Sequence, residues 1–343
     1  MNDSTHSTTN KPIIGISVGD YNGIGPEVII KAIEDNRLLR YMIPVLYCDS
    51  RVMSFYRKQL DLKNFNYNQV KTVDQIHHKR FNLVNIQEEG EIKITPGEGN
   101  SKSGKYALKS LRAALDDLKA NKIDALCTAP LSKELIQSDD FKFPGHTEFL
   151  TKESEQKESL MLLIDDNLRV GVVTGHIPIK EVSESLTKEK IKMKLQILRK
   201  SLKKDFGKSK PKIAVLGLNP HAGENGLLGK EEEEIIAPVI SEMKKDGHLI
   251  FGPFPADGFF GSSQFKNFDG ILAMYHDQGL IPFKNIAFES GVNFTAGLTF
   301  VRTSPDHGTA FGVAGKGTAD PTSMRNALLA ARDILKSRTE MGS

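Results

Sequence analysis

The 343-residue sequence has little of several features that define other classes of protein. It contains two cysteines, Cys48 and Cys127, and both lie in apolar segments of strand length. We therefore predict buried thiols in a reducing compartment and no disulfide. No apolar run is long enough to span a membrane, and residues 1–10 are polar, without the apolar core of a signal peptide. These features predict a cytoplasmic protein with a disordered tail at residues 1–10 and no membrane partner.

The net charge of the chain is also small. It is +3, and the sequence has no arginine-rich tract and no basic patch interleaved with aromatic residues. Proteins that bind nucleic acid through its phosphates usually carry such a cluster of positive charge. We therefore expect no nucleic-acid partner. Hydrophobic residues make up 39% of the chain and charged residues 26%, which is ordinary for a globular protein with a substantial core.

Apolar runs of strand length alternate with helical segments along the chain. We predict buried strands at residues 13–18, 43–48, 123–127, 213–218 and 270–274. A hairpin is predicted from residues 160–164 and 168–173. Residues 58–100 form the least regular part of the chain, and we assign them no function. Strands that alternate with helices predict a doubly wound α/β architecture.

Two amphipathic segments predict helices that pack on such a sheet. One carries Leu108, Leu111, Leu115 and Leu118 on a single stripe. The other, residues 187–204, places four apolar residues on one face and lysines elsewhere. A basic amphipathic helix can lie on a membrane surface, but this apolar stripe is narrow and has no large aromatic. We therefore predict an outer helix of the fold, and a further helix at residues 322–336.

Two glycine-rich segments resemble nucleotide-binding loops but do not match them. Residues 19–27 follow the first strand, yet Val28 stands where a dinucleotide fingerprint needs its third glycine. A tight strand-to-helix connection and a ligand-facing loop both remain open there. Residues 99–105 have phosphate-loop spacing, but Tyr106 stands where magnesium chemistry needs Ser or Thr. We therefore expect no phosphate loop at that position.

Ionisable residues gather after apolar strands, most of all in residues 269–321. His176, His221 and His276 each follow such a strand. Because the carboxyl ends of strands in an α/β sheet meet at one crevice, three imidazoles there would form a catalytic Zn²⁺ site with open positions. The alternative is three unrelated polar residues at strand ends. Lys133 also follows a strand, where it could meet an anionic ligand or remain solvated.

Several ordered motifs together point to one family. They are GD and GIGPE (residues 19–20 and 23–27), TAP (128–130), GHTEF (145–149), LNPHAGE (218–224), HDQG (276–279) and RTSPDHGTA (302–310). With these motifs the chain resembles the 4-hydroxythreonine-4-phosphate dehydrogenase family of vitamin B6 biosynthesis over residues 13–335. One departure is Tyr21-Asn22, where many members have Pro-Ala in the first glycine-rich turn.

The resemblance implies an architecture. The fold would be that of the isocitrate and isopropylmalate dehydrogenases, with two α/β lobes, an active-site cleft between them and a homodimer with shared active sites. We expect a cofactor-side lobe from residues 11–132 and 300–340, and a metal and dimerisation lobe from residues 133–299.

The resemblance also implies a role for each matched residue. The metal ligands would be His176, His221 and His276, one of them from the partner subunit. The substrate contacts would be His146, Thr147, Lys284, Asn293 and Arg302. Residues 307–320 resemble the nicotinamide-cofactor loop of isopropylmalate dehydrogenases, with contacts from His307, Gly308, Thr309, Ala310 and Gly315. Catalytic candidates are Asp257, Asp277 and Lys284, and the general base among them is left open.

The implied reaction is the NAD-dependent oxidation of 4-phosphooxy-L-threonine at C3, followed by decarboxylation to 3-amino-2-oxopropyl phosphate. The cofactors would be NAD or NADP and a divalent metal, Zn²⁺ with Mg²⁺ and Co²⁺ as alternatives. Lys284 and Arg302 carry the positive charge that a phosphate needs, and Arg302 is expected at a strand end. Two alternatives are a dehydrogenase of another phosphorylated hydroxy acid, such as threonate 4-phosphate, and an acyl-phosphate transferase or non-catalytic phosphate-binding protein.

Overall fold

The computed structural model describes residues 11–137, 143 and 146–342, and the chain forms two compact units. The first unit contains the chain up to Leu131 together with Thr309–Pro321, and the second contains Ser132–Gly308 and the chain from Thr322 onward. The tail predicted at residues 1–10 lies outside the described residues. The first unit takes only Thr309–Pro321 of the segment 300–340 that we had placed with it, because the last helix packs on strands of the second unit. The functional roles of the two lobes stay a prediction.

The first unit is built on five parallel strands. In sheet order β3-β4-β2-β1-β5 they are β1 (Ile13–Ser17), β2 (Ile43–Cys48), β3 (Asn68–Val70), β4 (Asn82–Asn85) and β5 (Ala125–Thr128). Its helices are α1 (Gly25–Ile33), α2 (Ser50–Gln59) and α3 (Ser101–Lys119). The predicted strands β1, β2 and β5 are confirmed. The short strands β3 and β4 lie in residues 58–100, where no strand was predicted. A strand of three or four residues is too short to show a clear periodicity in sequence.

Helix α3 explains why residues 99–105 only imitate a phosphate loop. The Asn100 side chain accepts hydrogen bonds from the backbone N–H groups of Lys102 and Ser103, and the Ser103 hydroxyl accepts one from the backbone N–H of Asn100. This reciprocal cap occupies the N–H groups that a phosphate would need. The predicted stripe of leucines on α3 is buried.

The second unit is built on seven strands in the order β12-β11-β6-β7-β10-β8-β9. They are β6 (Leu160–Asp165), β7 (Leu168–Val172), β8 (Ile213–Leu216), β9 (Ile250–Phe254), β10 (Gly270–Ala273), β11 (Val292–Ala296) and β12 (Val301–Pro305). Strands β7, β10, β8 and β9 run parallel, whereas β6, β11 and β12 pair antiparallel to their neighbours. The predicted hairpin is β6–β7, and the α/β class is confirmed.

Helices of the second unit pack on this sheet or border it. They are α4 (His146–Glu153), α5 (Val182–Ser185), α6 (Lys188–Lys204), α7 (Ala237–Lys245), α8 (Ala256–Gly261), α9 (His276–Ala287) and α10 (Thr322–Gly342). Helix α6 buries Ile191, Leu195, Leu198 and Leu202 against the strands, as predicted for an outer helix. Among the described residues, no helix combines the length and the apolar character needed to cross a bilayer.

Candidate functional site

Three neighbouring parallel strands of the second unit each end close to a histidine. Strands β7, β10 and β8 lie side by side in the sheet, and their carboxyl ends therefore share one edge. His176 follows β7, His276 opens helix α9 after β10, and His221 follows β8. Ligands of open α/β sheets bind at such an edge.

The fold brings two of these imidazoles together. The ring centres of His176 and His276 are 5.5 Å apart. Asp277 fixes the second ring, because its Oδ1 lies 2.7 Å from Nδ1 of His276. Nδ1 then carries the hydrogen, and Nε2 of His276 is left as the basic nitrogen.

Lys133 holds the other ring. Its Nζ donates to Nε2 of His176 at 2.9 Å, so an ammonium contacts one of the two nitrogens through which this imidazole could bind a metal. Burial lowers the pKa of Lys133, although Glu148 opposes the shift. Burial also lowers the pKa of His176, and the nearby Lys133 charge adds to that shift. Both groups therefore favour the neutral form more than they would in water.

His221 has an unusual backbone conformation. It lies in the 3₁₀ segment Pro220–Gly223 with a left-handed backbone (φ 51°), and Ala222 and Glu224 are left-handed as well. Buried Glu232 holds this loop, because its Oε1 accepts from the backbone N–H groups of Leu218 and Asn219. In the part of the chain that is described, no three His, Cys, Asp or Glu residues gather closely enough to hold a metal ion. The described residues of one chain bring together the pair His176 and His276, and one of the three ligands was predicted to come from the partner subunit.

A hollow of about 390 Å³ adjoins His176. Its walls include Thr147 and Glu148 from α4, together with Gly175 and Lys194. One oxygen of Glu148, Oε2, is buried and has no hydrogen-bond partner among the described residues. The side chain of His146, at the start of α4, lies outside the described residues. The hollow therefore places Thr147, one of the predicted substrate contacts, beside a predicted metal ligand.

Two other predicted substrate contacts lie on α9 and β11. Lys284 stands 3.6 Å from Oδ2 of Asp306 and forms an ion pair with it. Burial raises the pKa of Asp306, and Lys284 partly offsets the shift. The side-chain oxygen of Asn293 is buried and has no hydrogen-bond partner within the described chain. A buried acceptor of this kind is rare, and it is able to accept a hydrogen bond from a donor of a ligand.

The predicted position of Arg302 was wrong. It was expected at the end of a strand, but β12 begins only at Val301, and Arg302 is its second residue. Its side chain is buried, with 2% of the residue exposed, and donates to Oγ1 of Thr295 on neighbouring β11 at 3.1 Å. Apolar residues precede Val301 without belonging to β12, because hydrophobicity alone does not fix where a strand starts.

The two carboxylates named as candidate bases are both exposed. Asp257 lies in the first turn of α8, and Asp277 lies in the first turn of α9 beside His276. Of these two carboxylates, Asp277 contacts a predicted metal ligand, through its hydrogen bond with His276. Its contact orients that imidazole, so proton transfer is not its only potential role.

The predicted cofactor loop divides between the two units. His307 and Gly308 end the segment that belongs to the second unit, and Thr309, Ala310 and Gly315 belong to the first. In the first unit, the carbonyl of Thr309 accepts from the backbone N–H of Ile24, so the loop lies beside the first glycine-rich turn. Gly315 has φ +76°, and a Cβ there would approach Pro96 to 2.5 Å. Glycine is therefore required at this position.

The residues Tyr21-Asn22 secure the same region. Asn22 is fully buried, its Oδ1 accepts from the backbone N–H of Thr95, and its Nδ2 donates to the carbonyl of Glu98. The carbonyl of Tyr21 accepts from the hydroxyl of Tyr56. Of the two readings left open, these contacts support a structured strand-to-helix connection, and Asn22 fastens residues 95–98 to it.

Sequence reasoning left Lys133, Asp306 and Glu148 out of the predicted site. The position of Lys133 after a strand was consistent with contact to an anionic ligand, but it was equally consistent with a solvated side chain. Asp306 and Glu148 lie inside motifs of the family resemblance, yet nothing in their spacing shows that they approach Lys284 or Lys133. Such contacts arise from residues that are distant in sequence and become visible only in the folded chain.

The fold and this edge define an α/β protein with an ionisable, histidine-containing ligand site at the carboxyl ends of parallel strands. Residues 40–331 match the family described as pyridoxal phosphate biosynthetic protein PdxA. The chain belongs to this family.

Curated relatives and solved structures agree with the family match. The chain is 47% identical over 330 residues to a 4-hydroxythreonine-4-phosphate dehydrogenase of Bacteroides thetaiotaomicron, covering 96% of this chain and 90% of the relative. It is 39% identical over 332 residues to an Oceanobacillus iheyensis protein provisionally named D-threonate 4-phosphate dehydrogenase, covering 95% and 98%. A solved 4-hydroxythreonine-4-phosphate dehydrogenase of Klebsiella pneumoniae superposes with a TM-score of 0.83 at 33% identity, covering 96% and 99%.

Proposed function

We propose that this protein oxidises 4-phosphooxy-L-threonine at C3 with NAD, in the biosynthesis of pyridoxal and pyridoxine 5'-phosphate. The resulting β-keto acid loses CO₂ and gives 3-amino-2-oxopropyl phosphate. The observation that carries the proposal is the His176–His276 pair at the carboxyl edge of β7 and β10, in a chain 47% identical to a relative named for this activity. A cytoplasmic location stays a prediction, which the two buried cysteines, with no disulfide between them, support.

The histidine pair fits part of a divalent-metal site. His176 and His276 supply two imidazoles, and the Asp277 contact gives His276 the tautomer that a metal ligand needs. A catalytic site with three protein ligands needs a third. We assign that place to His221 of the partner subunit, which makes the active protein a homodimer with shared sites. The pair of ligands within one chain supports this division.

The remaining residues would bind and orient the substrate. Lys284 and Arg302 would hold its phosphate, and Asn293, Thr147 and His146 its polar groups. The unpartnered Oδ1 of Asn293 suits an ammonium or hydroxyl donor of the substrate. Asp257, Asp277 or Lys284 would accept the hydroxyl proton. A bound Zn²⁺, Mg²⁺ or Co²⁺ would stabilise negative charge on the hydroxyl oxygen, and NAD or NADP would accept the hydride.

The cofactor would lie along residues 307–320. His307, Gly308, Thr309, Ala310 and Gly315 are the proposed contacts. Support comes from hydrogen bonds that hold part of this segment in the first unit, where Lys31 donates to the carbonyls of Gly317 and Ala319. Glu27 accepts from the backbone N–H of Ala319, so both a cation and an anion hold this end of the loop.

A second substrate is favoured by one comparison. The Oceanobacillus iheyensis relative is provisionally named for D-threonate 4-phosphate, which has a hydroxyl where 4-phosphooxy-L-threonine has its amino group. The deciding experiment measures NADH formation by purified protein with each compound and with its dephosphorylated form. We expect turnover of 4-phosphooxy-L-threonine to dominate and the dephosphorylated forms to react poorly. Preference for the threonate would reassign the substrate, and no NADH with any compound, with metal present, would reject the dehydrogenase.

A further inference from the structure

A strongly basic hollow lies at the amino-terminal edge of the first sheet. It has a volume of about 720 Å³, and its walls include Lys11, Arg40, Lys79 and Arg80. These residues immediately precede β1, β2 and β4, whose amino ends share one edge because the strands are parallel. The glycine-rich turn at residues 19–25 follows the carboxyl end of β1. The hollow is therefore distinct from the candidate cofactor loop of the same unit.

The charge in this hollow is not neutralised by the residues around it. No acidic residue lines it, and no ion pair joins these four cations to a carboxylate among the described residues. Lys11 is also fixed in place, because its Nζ donates to the carbonyl of Leu39 at 2.7 Å. Four like charges around one concave surface repel each other and focus a positive potential into it. An anion bound there would relieve the repulsion.

The walls also favour a small ligand over a long one. Tyr67 and buried Phe81 supply an aromatic side, and the amides of Asn36 and Asn66 supply polar groups. Cations beside an aromatic face suit a phosphorylated molecule that carries a ring. A nucleic-acid surface would need basic residues along an extended face, whereas the net charge of the whole chain is only +3.

We propose that this basic hollow binds a compact polyanion with two or more phosphate groups, such as a di- or triphosphate. The proposal does not depend on the activity at the histidine edge. A free inorganic polyphosphate and a nucleoside polyphosphate share this chemistry, and they differ only in whether the aromatic wall is used.

The test is calorimetric titration of the full-length protein with inorganic tripolyphosphate at constant ionic strength. We expect saturable binding that weakens at least tenfold in the double variant Lys79→Ala, Arg80→Ala. The matched control is Lys102→Ala, Lys105→Ala, which removes two exposed positive charges from helix α3 of the same unit. This control should bind as the unchanged protein does. Equal Tm values without ligand would establish that both variants are folded.

A second arm distinguishes the two kinds of ligand. A nucleoside triphosphate should bind more tightly than tripolyphosphate if the aromatic wall contributes, and Tyr67→Ala should remove that difference. Equal affinities for the two ligands would mean that the hollow recognises the phosphate chain alone. The proposal is overturned if tripolyphosphate does not bind, or if it binds the Lys79, Arg80 variant as tightly as the control.

Discussion

Single residues at the histidine edge already differ in how they are held. His276 is oriented by a carboxylate, whereas His176 is contacted by the ammonium of Lys133 at 2.9 Å. An ammonium and a metal cation cannot share one imidazole nitrogen. Lys133 must therefore move away from His176 before that nitrogen can bind a metal.

We predict that Lys133→Met strengthens the binding of a divalent metal by roughly three- to tenfold. The reason is that a positive charge close to the ligand nitrogen repels the metal by about 1 kcal/mol or more at a partly solvated site. Competition between the protein and a coloured chelator for Co²⁺ measures the affinity without any turnover. Lys133→Arg keeps the charge and should bind Co²⁺ as the unchanged protein does. Weaker binding by the Met variant would mean that Lys133 supports the site instead of competing with the metal.

Mutation can also distinguish a phosphate-binding role of Arg302 from a structural one. We predict that Arg302→Ala lowers kcat/KM for the phosphorylated substrate by about thirty- to a hundredfold, or roughly 2–3 kcal/mol, with little change in the KM for NAD. Steady-state kinetics with phosphorylated and dephosphorylated substrate measures this.

Because Arg302 is buried, its replacement could also destabilise the fold, so a control variant is needed. Thr295→Val removes the hydroxyl that accepts from the guanidinium but keeps the positive charge. This variant should lose stability without losing the preference for phosphate. If both substrates lose the same factor in Arg302→Ala, the guanidinium only supports strands β11 and β12.

At the scale of elements, the first glycine-rich turn holds residues 95–98. Those residues in turn contact the part of the predicted cofactor loop that belongs to the first unit. Asn22 fixes residues 95–98, and Gly97 lies so close to the carbonyl of Phe311 that an added Cβ would stand 3.2 Å from it. Pro96 packs against Gly315. The turn therefore sets the position of the predicted cofactor loop without having to touch the cofactor.

We predict that Asn22→Ala raises the KM for NAD by about five- to tenfold and leaves the KM for the phosphorylated substrate nearly unchanged. Two side-chain hydrogen bonds are lost, and the polar backbone groups of Thr95 and Glu98 are left without them, which costs roughly 1–3 kcal/mol. Initial-rate kinetics with each substrate varied in turn measures the two constants. Asn68→Ala, at the start of β3, is the control, since it loses a side-chain hydrogen bond to Asn82 on the neighbouring strand β4. A parallel rise in both KM values would show general loosening of the unit.

At the scale of the whole molecule, the proposed division of ligands predicts which inactive variants can complement each other. If His176 and His276 come from one chain and His221 from its partner, a heterodimer of His176→Ala with His221→Ala contains one complete site. A heterodimer of His176→Ala with His276→Ala contains none.

We therefore predict that mixing the first pair gives heterodimers with up to half the activity of the unchanged dimer, because one of their two sites is complete. Mixing the second pair should restore no activity. Subunit exchange must be verified by mass spectrometry of differently tagged chains, and each variant alone should be inactive because two ligands hold a metal weakly. Recovery with the second pair would place His176 and His276 in different half-sites. Activity with neither pair, after exchange, would contradict shared sites.

The sequence by itself determined the α/β class, the positions of most buried strands and the family. These depend on local periodicity, on residues at strand ends and on long ordered motifs, all of which can be read along the chain. His176 and His276 were therefore recognised as residues that follow strands. The start of β12 was missed, because the apolar residues before Val301 look the same whether or not they pair with a neighbouring strand.

Only the tertiary structure decided which side chains meet. Strand β10 lies between β7 and β8, so His276 comes beside His176 although the two residues are 100 positions apart in the sequence. The contacts of Lys133 with His176 and of Asn22 with residues 95–98 have the same origin. They depend on sheet order and on packing between distant segments, which no local pattern encodes.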